Sequence, residues 1–156
     1  MSTPPSHDGQ KEGYVYVRVG ETAFGVPVLR VQDVIVETAI NRIPLAPPEV
    51  AGSLNLRGRI VTAIDLRLRL GMAPRPAGQT HMCVIVECAS ELYALLVDEV
   101  GDVLWLGDEQ HEPAPVTLSP HWRGMCQGLF RLEDQLMLVL DVDRVLKIGA
   151  TAHAAS

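Results

Sequence analysis

AGSLNLRGRIVTAIDLR, residues 51–67, packs a turn, a strand and a helix start into one short span. Asn55 and Gly58 bracket a loop. Asparagine closes turns on its own backbone, and glycine takes the positive φ that other residues resist. Between them Arg57 presents a planar guanidinium with five donors. Arg59–Ile64 is apolar and β-branched, which predicts a strand. Asp65 is placed to cap a brief helix over Leu66–Leu70, closed by Gly71.

The same short-strand grammar continues outward. Tyr14–Val19 alternates, with Val15, Val17 and Val19 on one face and Tyr14, Tyr16 and Arg18 on the other. After a turn at Gly20-Glu21-Thr22, Ala23–Pro27 and Val31–Thr38 read as further strands. Residues 43–48 carry three prolines and exclude a central strand. Pro47-Pro48-Glu49 predicts a short helix through Ser53. Residues 71–80, with two prolines and two glycines, form a linker between two parts of the chain. His81–Glu87, Leu92–Val97 and Val100–Leu106 read as strands, and 107–120 as a long polar loop. Cys126–Leu132 and Gln135–Leu140 form a hairpin, after which Asp141 caps a last helix through Ile148. Residues 1–12 read as a flexible leader and 150–156 as a disordered tail, leaving one domain over 13–149.

The two sides of the linker resemble each other. FGVPVLRVQDVI from Phe24 matches YALLVDEVGDVL from Tyr93 at an offset of 69, so that Val28, Val31, Asp33 and Val34 meet Val97, Val100, Asp102 and Val103. RIVTAIDL from Arg59 parallels QLMLVLDV from Gln135 at an offset of 76, pairing Asp65 with Asp141. Two small β barrels explain this symmetry; chance likeness between Val-rich segments is the alternative. A barrel of roughly 65 residues is marginal alone, so two would share a core and leave a groove between them.

Composition narrows the function. Of 156 residues, 47% are hydrophobic and 21% charged, a globular balance. The net charge of −6 opposes binding to nucleic acid or anionic membranes. Cys83, Cys88 and Cys126 are odd in number and form no CxxC pair, which fits reduced thiols in the cytoplasm. The first residues hold no apolar signal core, and no apolar run is long enough to span a bilayer. No GxSxG, HExxH, P-loop or GxGxxG occurs. His81 and Cys83 share a strand face but lack a second ligand pair. The reading is therefore a contact-making protein, not an enzyme, with no cofactor and no metal.

AGSLNLRGRIVTAIDLR resembles the signature of the CheW-like family, in which NLRG precedes an apolar strand and a DLR turn. FGVPVLRVQDVI and LLVDEVGDVL resemble that family's two Val-rich segments, in the same order, from about Tyr14 to Ile148. Thr62 stands where many relatives have Pro, and Asp33 where Glu is common. The resemblance implies an all-β fold of two intertwined SH3-like five-stranded β-barrels with short helices, one at the C-terminal end. It implies a cytoplasmic adaptor, recruited to membrane-associated arrays, that couples the cytoplasmic tip of a chemoreceptor to the regulatory domain of a CheA-type histidine kinase. A scaffold for pilus motility, development or second-messenger control has the same fold, and a small-ligand-binding barrel is a further alternative.

The resemblance also distributes roles. Arg57, Cys83, Ala94, Val100 and Val103 become receptor-contact candidates, and Val31, Asp33 and Gly52 kinase-contact candidates. Strand alternation puts Val31 and Asp33 on one face and Val34 on the other. The competing reading for the apolar residues is core packing, and for Gly52 helix termination. Trp105 and Trp122 read as packing residues near loops or as interface anchors.

Overall fold

The computed structural model describes residues 11–36 and 39–147. The chain enters as β1 (Lys11–Val19) and β2 (Thr22–Pro27), crosses a 3-10 turn (Val28–Arg30), and continues as β3 (Val31–Val36), β4 (Val50–Leu56) and β5 (Arg59–Asp65). After α1 (Leu66–Arg69) come β6 (Met82–Cys88), β7 (Glu91–Val97) and β8 (Glu99–Gly107). The last third holds β9 (His111–Glu112), α2 (Pro120–Arg123), β10 (Cys126–Arg131), β11 (Leu136–Leu140) and α3 (Val142–Val145).

These strands form two sheets. One runs β8-β1-β2-β11-β10-β9, the other β3-β6-β7-β5-β4. The repeats have exchanged strands: β3 pairs with β6 of the second repeat, and β8 pairs with β1 of the first. Registers repeat at the sequence offsets. Val31 stands opposite Val86 as Val100 stands opposite Val17. The parallel contact of Phe24 with Leu138 is matched by that of Tyr93 with Thr62. The likeness across residues 71–80 is thus a structural duplication, and each sheet takes strands from both sides of that segment.

Three apolar clusters follow. Tyr14, Phe130, Met137 and Val139 fill the first sheet's own core, and Leu54, Val61, Cys83 and Ile85 the second's. The third and largest joins Val17, Phe24 and Leu138 of one sheet to Val84, Leu95 and Val97 of the other. Aromatic residues are few, so branched aliphatic chains supply this shared burial, at about 25 cal/mol per Å². Both helix caps behave as the sequence implies: Asp65 accepts from the Leu68 amide and Asp141 from the Arg144 amide.

Some expectations need correction. The helix expected from Pro47 through Ser53 is a turn followed by the start of β4 at Val50. The β5 partner and the Asn41–Ser53 bridge satisfy this segment's backbone as strand. The loop expected over 107–120 contains β9, which extends the first sheet beside β10. Strand β1 starts at Lys11, inside the expected leader. Residues 1–10, Thr38, Ile148 and the tail at 150–156 lie outside the described residues.

Candidate functional site

The β4–β5 connection is a two-residue hairpin turn. Leu56 pairs with Arg59, and Arg57 and Gly58 between them have φ of 53° and 86°. Two positive φ values in succession match the right-handed strand twist, and glycine adopts the second without strain. The Asn55 Oδ1 accepts the Gly58 amide at 2.9 Å. This geometry leaves the Arg57 side chain 77% exposed, yet aimed: its Nη2 donates to Asp33 Oδ2 at 3.1 Å. The other oxygen of Asp33 accepts the Val34 amide at 2.8 Å. Sequence spacing of 24 residues hid this pair. With Gln32, Leu56, Arg59 and the apolar Ile85 and Leu92 it lines a depression of about 140 Å³ between β3 and the β4–β5 turn.

A register shift between Val31 and Asp33 overturns the expected strand alternation. Val31 stands opposite Val86 and packs on the shared core, whereas Asp33 stands opposite Ile85. Adjacent partners face opposite sides of a strand, so Val31 and Asp33 do not share a face. Only Asp33 of the two presents charge at the edge.

The second surface is apolar and lies at the β8 edge of the first sheet. Trp105 is 59% exposed and lies across Gly13, where an added Cβ would come within 3.0 Å of its ring. Leu29, on the 3-10 turn beside it, is 90% exposed, and Val103 is 40% exposed. Lys11, Glu12, Pro27 and Val28 complete a cavity of about 190 Å³. The sequence named Val103 and offered Trp105 as one of two packing or anchor tryptophans. It missed Leu29, whose signal is an apolar residue in the tripeptide between two strands. Trp122 is the packing tryptophan: its ring centroid lies 5.6 Å from that of Phe24, and its Nε1 donates to the Leu70 carbonyl at 2.7 Å.

The remaining candidates are placed differently. Cys83 and Ala94 are fully buried in the second sheet's core and offer no surface to a partner. Val100 is half-buried against the shared core. Gly52 is buried with φ of 147°, and an added Cβ would lie 2.2 Å from the Asn41 carbonyl oxygen. Close backbone approach explains this glycine. Among the described residues no cluster of three metal-ligating side chains exists. Burial pushes the Cys126 thiol up to about 12, helped by Asp141, which suppresses its thiolate.

A buried carboxylate joins the two sheets. Asp98, in the step from β7 to β8, has a side chain only 5% exposed. Arg67 of α1 grips both its oxygens, at 2.8 and 3.2 Å, and the Gly20 amide donates at 2.6 Å. Burial alone would raise this carboxyl. The Arg67 bonds, the Gly20 amide and the nearby charges of Arg67 and Arg75 outweigh it and hold Asp98 below its ordinary value.

The family model described as the CheW-like domain matches residues 13–149. This chain belongs to the CheW-like family. A chemotaxis protein CheW of Rhizobium meliloti is 30% identical over 128 residues, which cover 82% of this chain and 83% of that one. The chemotaxis protein CheW of Klebsiella aerogenes is 29% identical over 136 residues, 85% of this chain and 80% of its own. Among solved structures, the scaffolding protein TtCheW of Thermoanaerobacter tengcongensis superposes with a TM-score of 0.76 at 26% identity, covering 85% of this chain and 90% of that one. The all-β fold of two intertwined SH3-like barrels is therefore that of a CheW scaffold, with the two-residue β9 as a sixth strand in one sheet. As a CheW-like protein the chain is a chemotaxis coupling adaptor, of the family that links chemoreceptors to a CheA-type histidine kinase. No helix among the described residues is long and apolar enough to cross a membrane.

Proposed function

We propose that the two unlike edge surfaces divide the two partners between them. The apolar groove of Leu29, Val103 and Trp105 takes an amphipathic helix of a receptor's cytoplasmic tip. Helix-in-groove recognition needs apolar anchors of this kind. The polar β3 edge, with Asp33 and Arg57, takes the regulatory domain of a CheA-type kinase. Arg57 moves from the receptor group to the kinase group because it is bonded to Asp33 and so belongs to the same surface. Val31 supports that edge from inside, and Cys83, Ala94 and Gly52 shape the core beneath it. Receptor binding then recruits the adaptor to membrane-associated arrays. The observation that supports this reading is the occurrence of one apolar and one charged surface beside the two exchanged edge strands, β8 and β3.

Titration of each single-surface variant against a receptor cytoplasmic fragment and against a kinase regulatory domain tests it. Leu29→Glu is expected to weaken the receptor fragment alone, and Asp33→Lys the kinase domain alone. Leu29 is too exposed for its loss to change stability by more than about 0.5 kcal/mol. Variants that weaken the opposite partner, or neither, defeat the assignment.

A further inference from the structure

The chain passes between the two sheets twice, at Val28–Arg30 on the way out and at Asp98 on the way back. The repeat makes these crossings comparable. Arg30 corresponds to Glu99 at the offset of 69, and Asp143 of α3 corresponds to Arg67 of α1 at the offset of 76. Each crossing is held by an ion pair to the second position of its helix: Asp98 to Arg67, and Arg30 to Asp143 at 2.8 Å. The helix ends have opposite charge, and the crossing ends are one position apart in the repeat, since Asp98 corresponds to Leu29. Each crossing also leans on a hairpin of the sheet it joins: Glu99 on Arg18 of β1, and Arg30 on the carbonyl of Glu87 of β6, the residue equivalent to Arg18.

The two crossings differ in how firmly they are held. The Asp98–Arg67 pair is 5% and 12% exposed, and the Gly20 amide and Arg75 reinforce it. At the other crossing Arg30 is 32% and Asp143 60% exposed, and no residue of the 3-10 turn is buried. Cys88 Sγ lies 3.4 Å from the Asp143 Oδ1, and the positive charge of Lys147 also faces that carboxylate. Solvent screens an exposed pair, so this crossing yields more readily than the other while its pair stays formed. The loosely held crossing also joins the two edge surfaces. Val28 and Leu29 border the apolar groove, and Val31 to Asp33 begin the charged edge.

We propose that the Val28–Arg30 turn transmits between the two docking surfaces, with the Arg30–Asp143 pair as the latch that makes its displacement move β3. This rests on the partner assignment given above. A helix seated on Leu29 pushes the turn. With Arg30 anchored to α3 and to the β6–β7 hairpin, the displacement passes into Val31–Asp33. Without the anchor the turn absorbs it. Asp98 holds the other crossing fixed and so serves as the reference against which β3 moves.

The test uses the full chain with a receptor cytoplasmic fragment and a CheA-type kinase. Arg30→Ala is expected to bind each partner alone within about twofold of the wild type. In the ternary assembly it is expected to lose about fivefold of the receptor-dependent change in kinase autophosphorylation, the limit for an exposed pair. Arg30→Lys, which keeps the charge, is expected to retain most of that change. In the unmodified protein, the receptor fragment alone is expected to alter amide exchange over Val31–Val36. Undiminished transmission by Arg30→Ala, or unchanged exchange in β3 with receptor bound, overturns the proposal. The exchange measurement stands whether or not any variant folds. Failure of the wild type to bind either partner removes the partner assignment as well, whereas normal binding with normal transmission in Arg30→Ala removes this inference only.

Discussion

Replacing Trp105 with alanine separates binding from folding with magnitudes that the structure sets. A tryptophan side chain offers about 250 Å². The exposed 59% leaves about 150 Å² for a partner to cover. At about 25 cal/mol per Å² the gross gain is about 4 kcal/mol. Ordering and desolvation at an interface consume roughly half, so the expected loss of receptor affinity is about 2 kcal/mol, or about 30-fold in Kd. The covered remainder, about 100 Å² over Gly13 and Val28, puts a ceiling of about 2.5 kcal/mol on the accompanying loss of stability. A domain of ordinary stability survives that loss. Calorimetric titration well below the melting onset gives the affinity, with a kinase regulatory domain as the control ligand, and urea unfolding gives the stability. In a Trp122→Phe background, which leaves Trp105 as the sole indole, a blue-shifted emission on receptor binding reports the same burial directly. Receptor affinity within about threefold of the wild type in a folded Trp105→Ala protein would refute the groove as the docking site. Equal losses for both partners would refute it too, since they would show general damage.

Three further outcomes follow from the geometry. Asp98→Ala leaves Arg67 buried without its carboxylate and is expected to cost about 3 kcal/mol in urea unfolding. Because the folded pKa of Asp98 is lowered, its stabilisation is fully present above the ordinary aspartate value and fades as pH falls through the folded one; the variant's unfolding midpoint should depend less on acid over that window. Arg57→Glu sets a carboxylate against Asp33 on an exposed turn: kinase-domain affinity is expected to fall about tenfold with the melting temperature nearly unchanged, and normal affinity would remove Arg57 from the surface. Gly52→Ala drives a methyl group into the Asn41 carbonyl at φ of 147° and is expected to cost more than about 2 kcal/mol in thermal unfolding, with Gly58→Ala, which meets nothing within 4 Å, costing less.

Much of the fold was legible because it obeys local rules. The alternation in Tyr14–Val19, the Asn55–Gly58 turn and the Asp65 and Asp141 caps each depend on a few neighbouring residues. The helix expected from Pro47 through Ser53 failed on the same ground. Two prolines suit a first helical turn, but cross-strand bonds from β5 decide the segment, and those come from the next strand. The candidate surface was harder. Arg57 was visible as a charged residue on a loop and Asp33 as one on a strand, and nothing in a spacing of 24 residues declares an ion pair. The register shift after Val31 moved Asp33 to the other face, and such shifts leave no mark in an apolar-polar pattern. Cys83 and Ala94 sit in strands buried on both faces, where a core residue and a groove residue read alike.

Strand exchange explains why both candidate surfaces occur where they do. An edge strand presents unpaired backbone groups and is a place where another chain can add. Here the edges formed by β3 and β8 are the two strands that have crossed from their own repeat. Each surface is consequently composite. Trp105 comes from the second repeat and rests on Gly13 and Val28 of the first, and Asp33 rests on β6 of the second. Neither surface survives if the repeats come apart, and the shared cluster around Phe24, Val84 and Leu138 makes separation costly. Two marginal barrels are thereby made into one folding unit whose partner surfaces exist only when the whole is assembled. An adaptor needs that property: a half-folded copy that held one partner without the other would block the connection it is there to make.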